Sequence, residues 1–181
     1  MSRPPLAEEE RLITAILRRR TRREPFLVGT VPTFALEQLG EAVSAEGAQL
    51  LQIRGARAAE LDILLAETDT TATSDPATAA GLRAAWAPDG NRGSVAVLCT
   101  TRDEPADWLR AGQALQRMLL EATSRDVDAR MFTLALEDDA QRDQVRRQAC
   151  AGRWPQLVLE LGRDGWISPE APAGKARHPH G

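Results

Sequence analysis

The chain has 181 residues, 43% of them hydrophobic, and a net charge of -3. That is enough apolar side chain for the core of one ordinary domain. No run approaches 18 consecutive apolar residues, and no apolar signal core follows Met1-Ser2-Arg3-Pro4-Pro5, so no membrane contact and no secretory route are expected. Cys99 and Cys150 lack metal-ligand spacing and make no disulfide framework, which points to a reducing cytoplasm.

Leu12, Ile13, Ile16 and Leu17 place one apolar stripe on a helix running from about Ala7 to Arg20. At its end stands Arg18-Arg19-Arg20-Thr21-Arg22-Arg23, five arginines and a hydroxyl in an otherwise slightly acidic chain. Guanidinium groups are permanently charged and present fixed forks of donors that match phosphate oxygens. The cluster reads as a receptor for a phosphate-bearing ligand, and a solvated, dipole-matched helix end is the plain alternative. Nucleic acid is not expected: the basic run is short, no second basic stripe exists, and with no Tyr and three Phe the chain has few stacking platforms.

Leu36, Leu39 and Val43 mark a second helix, from near Thr33 to before Gly47, and Gln49 to Ile53 reads as a strand. Leu61, Leu64 and Leu65 suggest a helix from roughly Arg57 to Glu67, and Asp75-Pro76 would open another reaching Trp86. Ser94 to Cys99 is the best strand in the chain. Pro105 then begins the strongest helix, with Trp108, Gly112, Leu115, Leu119 and Ala122 three and four apart. Gly112 inside it calls for close approach by a backbone, a flat ligand or a crossing helix. Trp86, Trp108 and Trp154 are expected in a core or an interface. Met131 to Leu136 reads as a short strand or an extended segment, Asp138 to Ala149 as a charged helix, and Gln156 to Leu161 as a strand with Leu157, Leu159 and Leu161 on one face. The core ends near Gly162, and residues 163–181, rich in Pro and Gly, form an extended arm suited to packing on a partner. The elements mix without βαβ spacing or a dinucleotide glycine fingerprint, so a compact α+β domain with one small sheet is expected.

Recognised catalytic motifs are missing: no HExxH, GxSxG, Walker loop or CxxC, and both histidines, His178 and His180, fall in the last four residues. Asp126 with Asp128, and Glu137 with Asp138 and Asp139, are read as solvated carboxylates, and Asp103-Glu104 as the acidic start of a helix. No catalytic residue is assigned. An enzyme of this kind would borrow its chemistry from a cofactor.

Three segments then carry a resemblance: Arg19 to Phe26, Asp107 to Arg117, and Gly152-Arg153-Trp154-Pro155-Gln156 leading to Leu161-Gly162, followed by the tail Gly174 to Pro179. In order and spacing they resemble the nitroreductase-like flavoproteins, most closely the second half of the actinobacterial proteins that fuse two such halves. The resemblance implies a small, mostly antiparallel sheet flanked by helices, an FMN cofactor, and a homodimer whose C-terminal arm embraces the partner subunit. It implies hydride transfer from NAD(P)H through the flavin to a small electron-poor acceptor, or, in a degenerate member, flavin binding without turnover. Arg20, Thr21 and Arg23 match the family's Arg-Ser/Thr-x-Arg pattern at the flavin phosphate and ring edge, with Arg19 as a helper and Lys175 and Arg177 completing the phosphate site. The family's small-residue, Asn/Gln-containing segment against the ring is altered here to Ala45-Glu46-Gly47-Ala48-Gln49-Leu50.

Overall fold

The structure is a computed structural model that describes residues 7–21, 26, 31–55, 57, 61, 93–133 and 136–163. Helix α1 spans Ala7–Arg18 and α2 Thr33–Ala45; strands β1 (Gln49–Gln52) and β2 (Ser94–Thr100) precede the long helix α3 (Pro105–Ser124). Strand β3 (Asp128–Phe132), helix α4 (Asp139–Ala149) and strand β4 (Trp154–Gly162) complete the described elements. Of the helix expected from Arg57, residues Arg57 and Leu61 are described and both are helical. The helix expected to reach Trp86 and the arm beyond Arg163 lie outside the described residues.

The four strands form one antiparallel sheet in the order β1-β2-β4-β3. Alternation along the strands divides the core between two faces. Leu157, Leu159 and Leu161 join Ala96, Leu98 and Ala129 on one face, beneath α2 and α3. Val95, Val97, Cys99, Phe132 and Val158 lie on the other with Val145 and Ala149 of α4. The α3 contribution is Ala111, Ala114, Met118, Leu119 and Ala122, which recur three and four apart and are buried. Its start is fixed by a reciprocal capping box between Glu104 and Asp107, with Pro105 in the first turn. Asp138 caps α4 by accepting a hydrogen bond from the Gln141 amide at 2.9 Å. Glu104 is thus structural, as expected, whereas Asp138, read as one of a solvated carboxylate cluster, is a helix cap.

Two expectations shift. The strand expected over Met131 to Leu136 begins earlier, at Asp128, and Leu136 is already in a short helical turn. The tight turn at Arg125-Asp126, with Asp126 at φ 55°, lets pairing with β4 start at Asp128, four residues after α3 ends at Ser124. The apolar stripe of α1 is not part of the core: Ala15 is buried, whereas Ile13, Ile16 and Leu17 are exposed, Leu17 to 91%. Helix α1 instead lies on α3 through Ala15 and through Arg11, which donates to Glu121 at 3.2 Å. Trp108 and Leu109 of α3 are also exposed, to 53% and 68%.

Candidate functional site

Three chain segments meet at the C-terminal end of α1. Arg18 pairs with Asp126 in the turn after α3, its Nη2 2.8 Å from Oδ1. Arg163, one residue past β4, donates to the Arg125 carbonyl oxygen at 3.3 Å. Phe26 is buried against Gly162, where the Cβ of any other residue would run into its ring. The glycine that closes the third resembling segment is therefore the seat of the aromatic residue that closes the first. This contact fixes the chain three residues beyond Arg23, next to the end of β4.

Within the arginine cluster the side chains divide by role. Arg18 is held by Asp126, and Arg19 donates to Thr21 Oγ1 at 3.2 Å. Arg20 is exposed and has no hydrogen-bond or ion-pair partner among the described residues. Such a group, fixed at a helix end beside a hydroxyl, suits a phosphate that supplies the missing acceptors. Arg23, Lys175 and Arg177 lie outside the described residues, so the cluster described is Arg18, Arg19, Arg20 and Thr21 with Arg163 nearby.

The segment between α2 and β1 would face the ring of a bound flavin under the resemblance. Glu46 is engaged by Arg117 at 3.4 Å, Gly47 turns the chain at φ 79°, and Ala48 is buried. Gln49, the sole amide side chain of the segment, is exposed at the start of β1.

Other charged side chains form structural hubs that the sequence pattern did not reveal. Asp103 accepts from Trp108 Nε1 at 2.7 Å, from Arg142 at 2.8 Å and from Gln156 at 3.0 Å. Burial raises its pKa, but these three bonds and the Arg142 charge outweigh that and hold the carboxyl below its usual range. Arg146 stacks on Trp154 with its guanidinium carbon 3.7 Å from the ring centroid, so Trp154 is packed between α4 and the sheet. Arg130 and Glu160 face each other across β3 and β4 at 3.7 Å, each side chain 7% exposed. Cys99 and Cys150 are both buried, and the Cys150 thiol followed by burial pushes the Cys99 thiol up, leaving it an inert core residue. Among the described residues no cluster of metal-ligating side chains occurs, and no helix is long and apolar enough to cross a membrane.

No family model and no curated protein matches the sequence. Solved structures do match the fold. A nitroreductase with bound FMN from Desulfitobacterium hafniense DCB-2 superposes with a TM-score of 0.61 at 14% identity, over 94% of this chain and 93% of that one. A nitroreductase with bound FMN from Bacteroides fragilis NCTC 9343 gives 0.59 at 15% identity, over 93% and 98%. The FMN-dependent nitroreductase NfnB from Mycobacterium smegmatis, in complex with NADPH, gives 0.62 at 15% identity, over 86% and 88%. The chain has the nitroreductase-like α+β fold.

Proposed function

We propose that this protein binds FMN at the C-terminal end of α1 and works as an NAD(P)H-dependent oxidoreductase of nitroreductase type. The observation that carries the reading is Arg20, exposed beside the Arg19–Thr21 pair and without an acceptor among the described residues, in a fold shared with FMN-binding nitroreductases. Arg20 and Thr21 would hold the flavin phosphate with Arg19 as a helper. Lys175 and Arg177 of the tail would close the site from the other side, if residues 163–181 form the expected arm. Arg23 would offset negative charge at the polar edge of the ring. When bound, FMN supplies the chemistry: it takes hydride from NAD(P)H and passes it to a small electron-poor acceptor. The protein's own part is binding, orientation and electrostatics. The closer likeness to one half of the fused actinobacterial proteins rests on the sequence motifs alone.

The same reading includes a homodimer. Ile13, Ile16 and Leu17 of α1 and Trp108 and Leu109 of α3 leave an apolar surface exposed. Between the two helices runs a groove of about 610 Å3 that contains Gly112, over which a Cβ would meet nothing within 4 Å. Among the described residues no helix crosses α3 over Gly112, and the open space there suits a partner helix coming close. Sedimentation as a dimer is expected, and a monomer at every concentration contradicts it.

A second reading, flavin binding without turnover, is favoured by one observation: the segment Ala45 to Leu50 offers Gln49 as its single amide, with Glu46 already tied to Arg117. Anaerobic mixing with NAD(P)H separates the two. Bleaching of the flavin absorbance within the turnover time supports the oxidoreductase; a flavin that stays oxidised under excess NAD(P)H rejects it and leaves the sequestering protein.

A further inference from the structure

The chain that carries the arginine run is pinned at both ends to one corner of the sheet, and Arg163 stands at that corner. Arg18, where the run begins, pairs with Asp126 at 2.8 Å, and Phe26, three residues past its end, rests on Gly162. Asp128 pairs with Gly162 across β3 and β4, so the turn after α3 and the end of β4 lie side by side. Arg163 follows Gly162 directly, and its Nη2 donates to the Arg125 carbonyl oxygen at 3.3 Å. The guanidiniums of Arg18 and Arg163 therefore rest on neighbouring residues of one turn. Arg20 comes two residues after Arg18, at most about 7 Å of chain away.

The two anchoring bonds differ in what they leave over. Asp126 answers the charge of Arg18. A peptide oxygen takes one N–H of Arg163 and leaves its charge unanswered, and among the described residues no carboxylate pairs with it. Its Nε is also buried with no hydrogen-bond partner. Glu121, the carboxylate one turn before Arg125 on α3, is already taken by Arg11 and Arg125. Arg19, which donates to the neutral Thr21, and Arg20 have no carboxylate either. One balanced pair thus stands beside three guanidiniums whose charge the described residues do not offset. A phosphate monoester carries about -1.5 to -2 charges at pH 7 and three strong acceptor oxygens, which is more than one arginine neutralises.

We propose that Arg163 is a further phosphate-binding residue of the site assigned above to FMN, joining Arg20 and Thr21 on the charged end of the flavin. This rests on the flavin reading, and the experiment separates the two. FMN and riboflavin are titrated into wild type, Arg163→Gln and Arg163→Lys, followed by fluorescence. Gln keeps an N–H donor for the Arg125 carbonyl and removes the charge; Lys restores the charge without the fork. Arg163→Gln is expected to weaken FMN about tenfold or more, the loss of a hydrogen bond to a charged group, with riboflavin affinity unchanged. Arg163→Lys is expected to recover part of that loss. Arg102→Gln, which removes the same charge before the other end of α3, about 30 Å of helix away, is expected to leave FMN affinity as it is. If wild type prefers FMN and Arg163→Gln matches it, the role of Arg163 is overturned and the flavin reading stands. The role is equally overturned if Arg163→Gln loses both flavins alike, if Arg163→Lys falls as far as Arg163→Gln, or if Arg102→Gln does. Wild type with no preference for FMN over riboflavin overturns the flavin reading and this inference with it.

Discussion

Arg130 and Arg20 are the same residue type in opposite circumstances. Arg130 sits in β3, 7% exposed, 3.7 Å from an equally buried Glu160, with its guanidinium 4.6 Å from the centre of the Phe132 ring. Arg20 stands in solvent past the end of α1, with no partner among the described residues. The first is held by the protein for the protein's own sake. The second is the one proposed to meet the flavin phosphate. A chain with one lysine and many arginines makes this distinction necessary, since composition alone marks every arginine alike.

The comparison is tested most severely at the buried end. Arg130→Ala takes the guanidinium away from buried Glu160, which keeps the Gly93 N–H at 3.3 Å, and breaking a buried ion pair costs about 3–5 kcal/mol. Urea denaturation should show that loss, with FMN still preferred over riboflavin by whatever fraction folds. An unchanged midpoint would mean that the pair contributes nothing. At the exposed end the pattern inverts. Arg20→Ala should leave unfolding within about 0.5 kcal/mol of wild type and weaken FMN by about 1.5–3 kcal/mol, the worth of a hydrogen bond to a charged group. Equal FMN affinity in the two proteins removes Arg20 from the site.

The smallest effect concerns pH. The folded-state pKa of Asp103 is lowered, so its contribution to stability is present above the unfolded carboxyl pKa of about 3.9 and is lost as pH falls through the folded value. Asp103→Asn should therefore be less stable than wild type at neutral pH, and the gap should close under acid. A constant gap across that range would deny the carboxylate its role as anchor for Trp108, Arg142 and Gln156.

The fold was largely legible in the sequence because its strongest elements carry strong periodicity. The Leu157-Leu159-Leu161 alternation falls on the core face as read; on α3, Met118, Leu119 and Ala122 do so, but Trp108, Leu109 and Gly112 face outward and Ala111 and Ala114 are buried in their stead. Where the reading slipped, a tertiary fact intervened. The stripe of α1 was apolar enough for a core, yet α1 is seated by Ala15 and Arg11, and its larger side chains face outward. Trp108, expected in a core or an interface, is exposed in the single chain, its indole N–H bound to Asp103. The start of β3 was missed because Asp128 and Arg130 carry no apolar alternation; only pairing with β4 makes them a strand.

The candidate site was legible as a basic run with a resemblance behind it. What the run could not tell is that Arg18 is tied to Asp126 or that Phe26 rests on Gly162, since both contacts join residues more than a hundred positions apart. The hub at Asp103 and the seat of Arg163 on the turn after α3 were hidden for the same reason. Their members come from separate helices and strands, and no spacing along the chain announces them.

The most direct test of the account is a titration of the purified protein with FMN and, in parallel, with riboflavin, followed by absorbance and fluorescence. Tight FMN binding and much weaker riboflavin binding are expected if the arginines at the end of α1 act on the phosphate. Equal binding of the two flavins, or binding of neither, would contradict it.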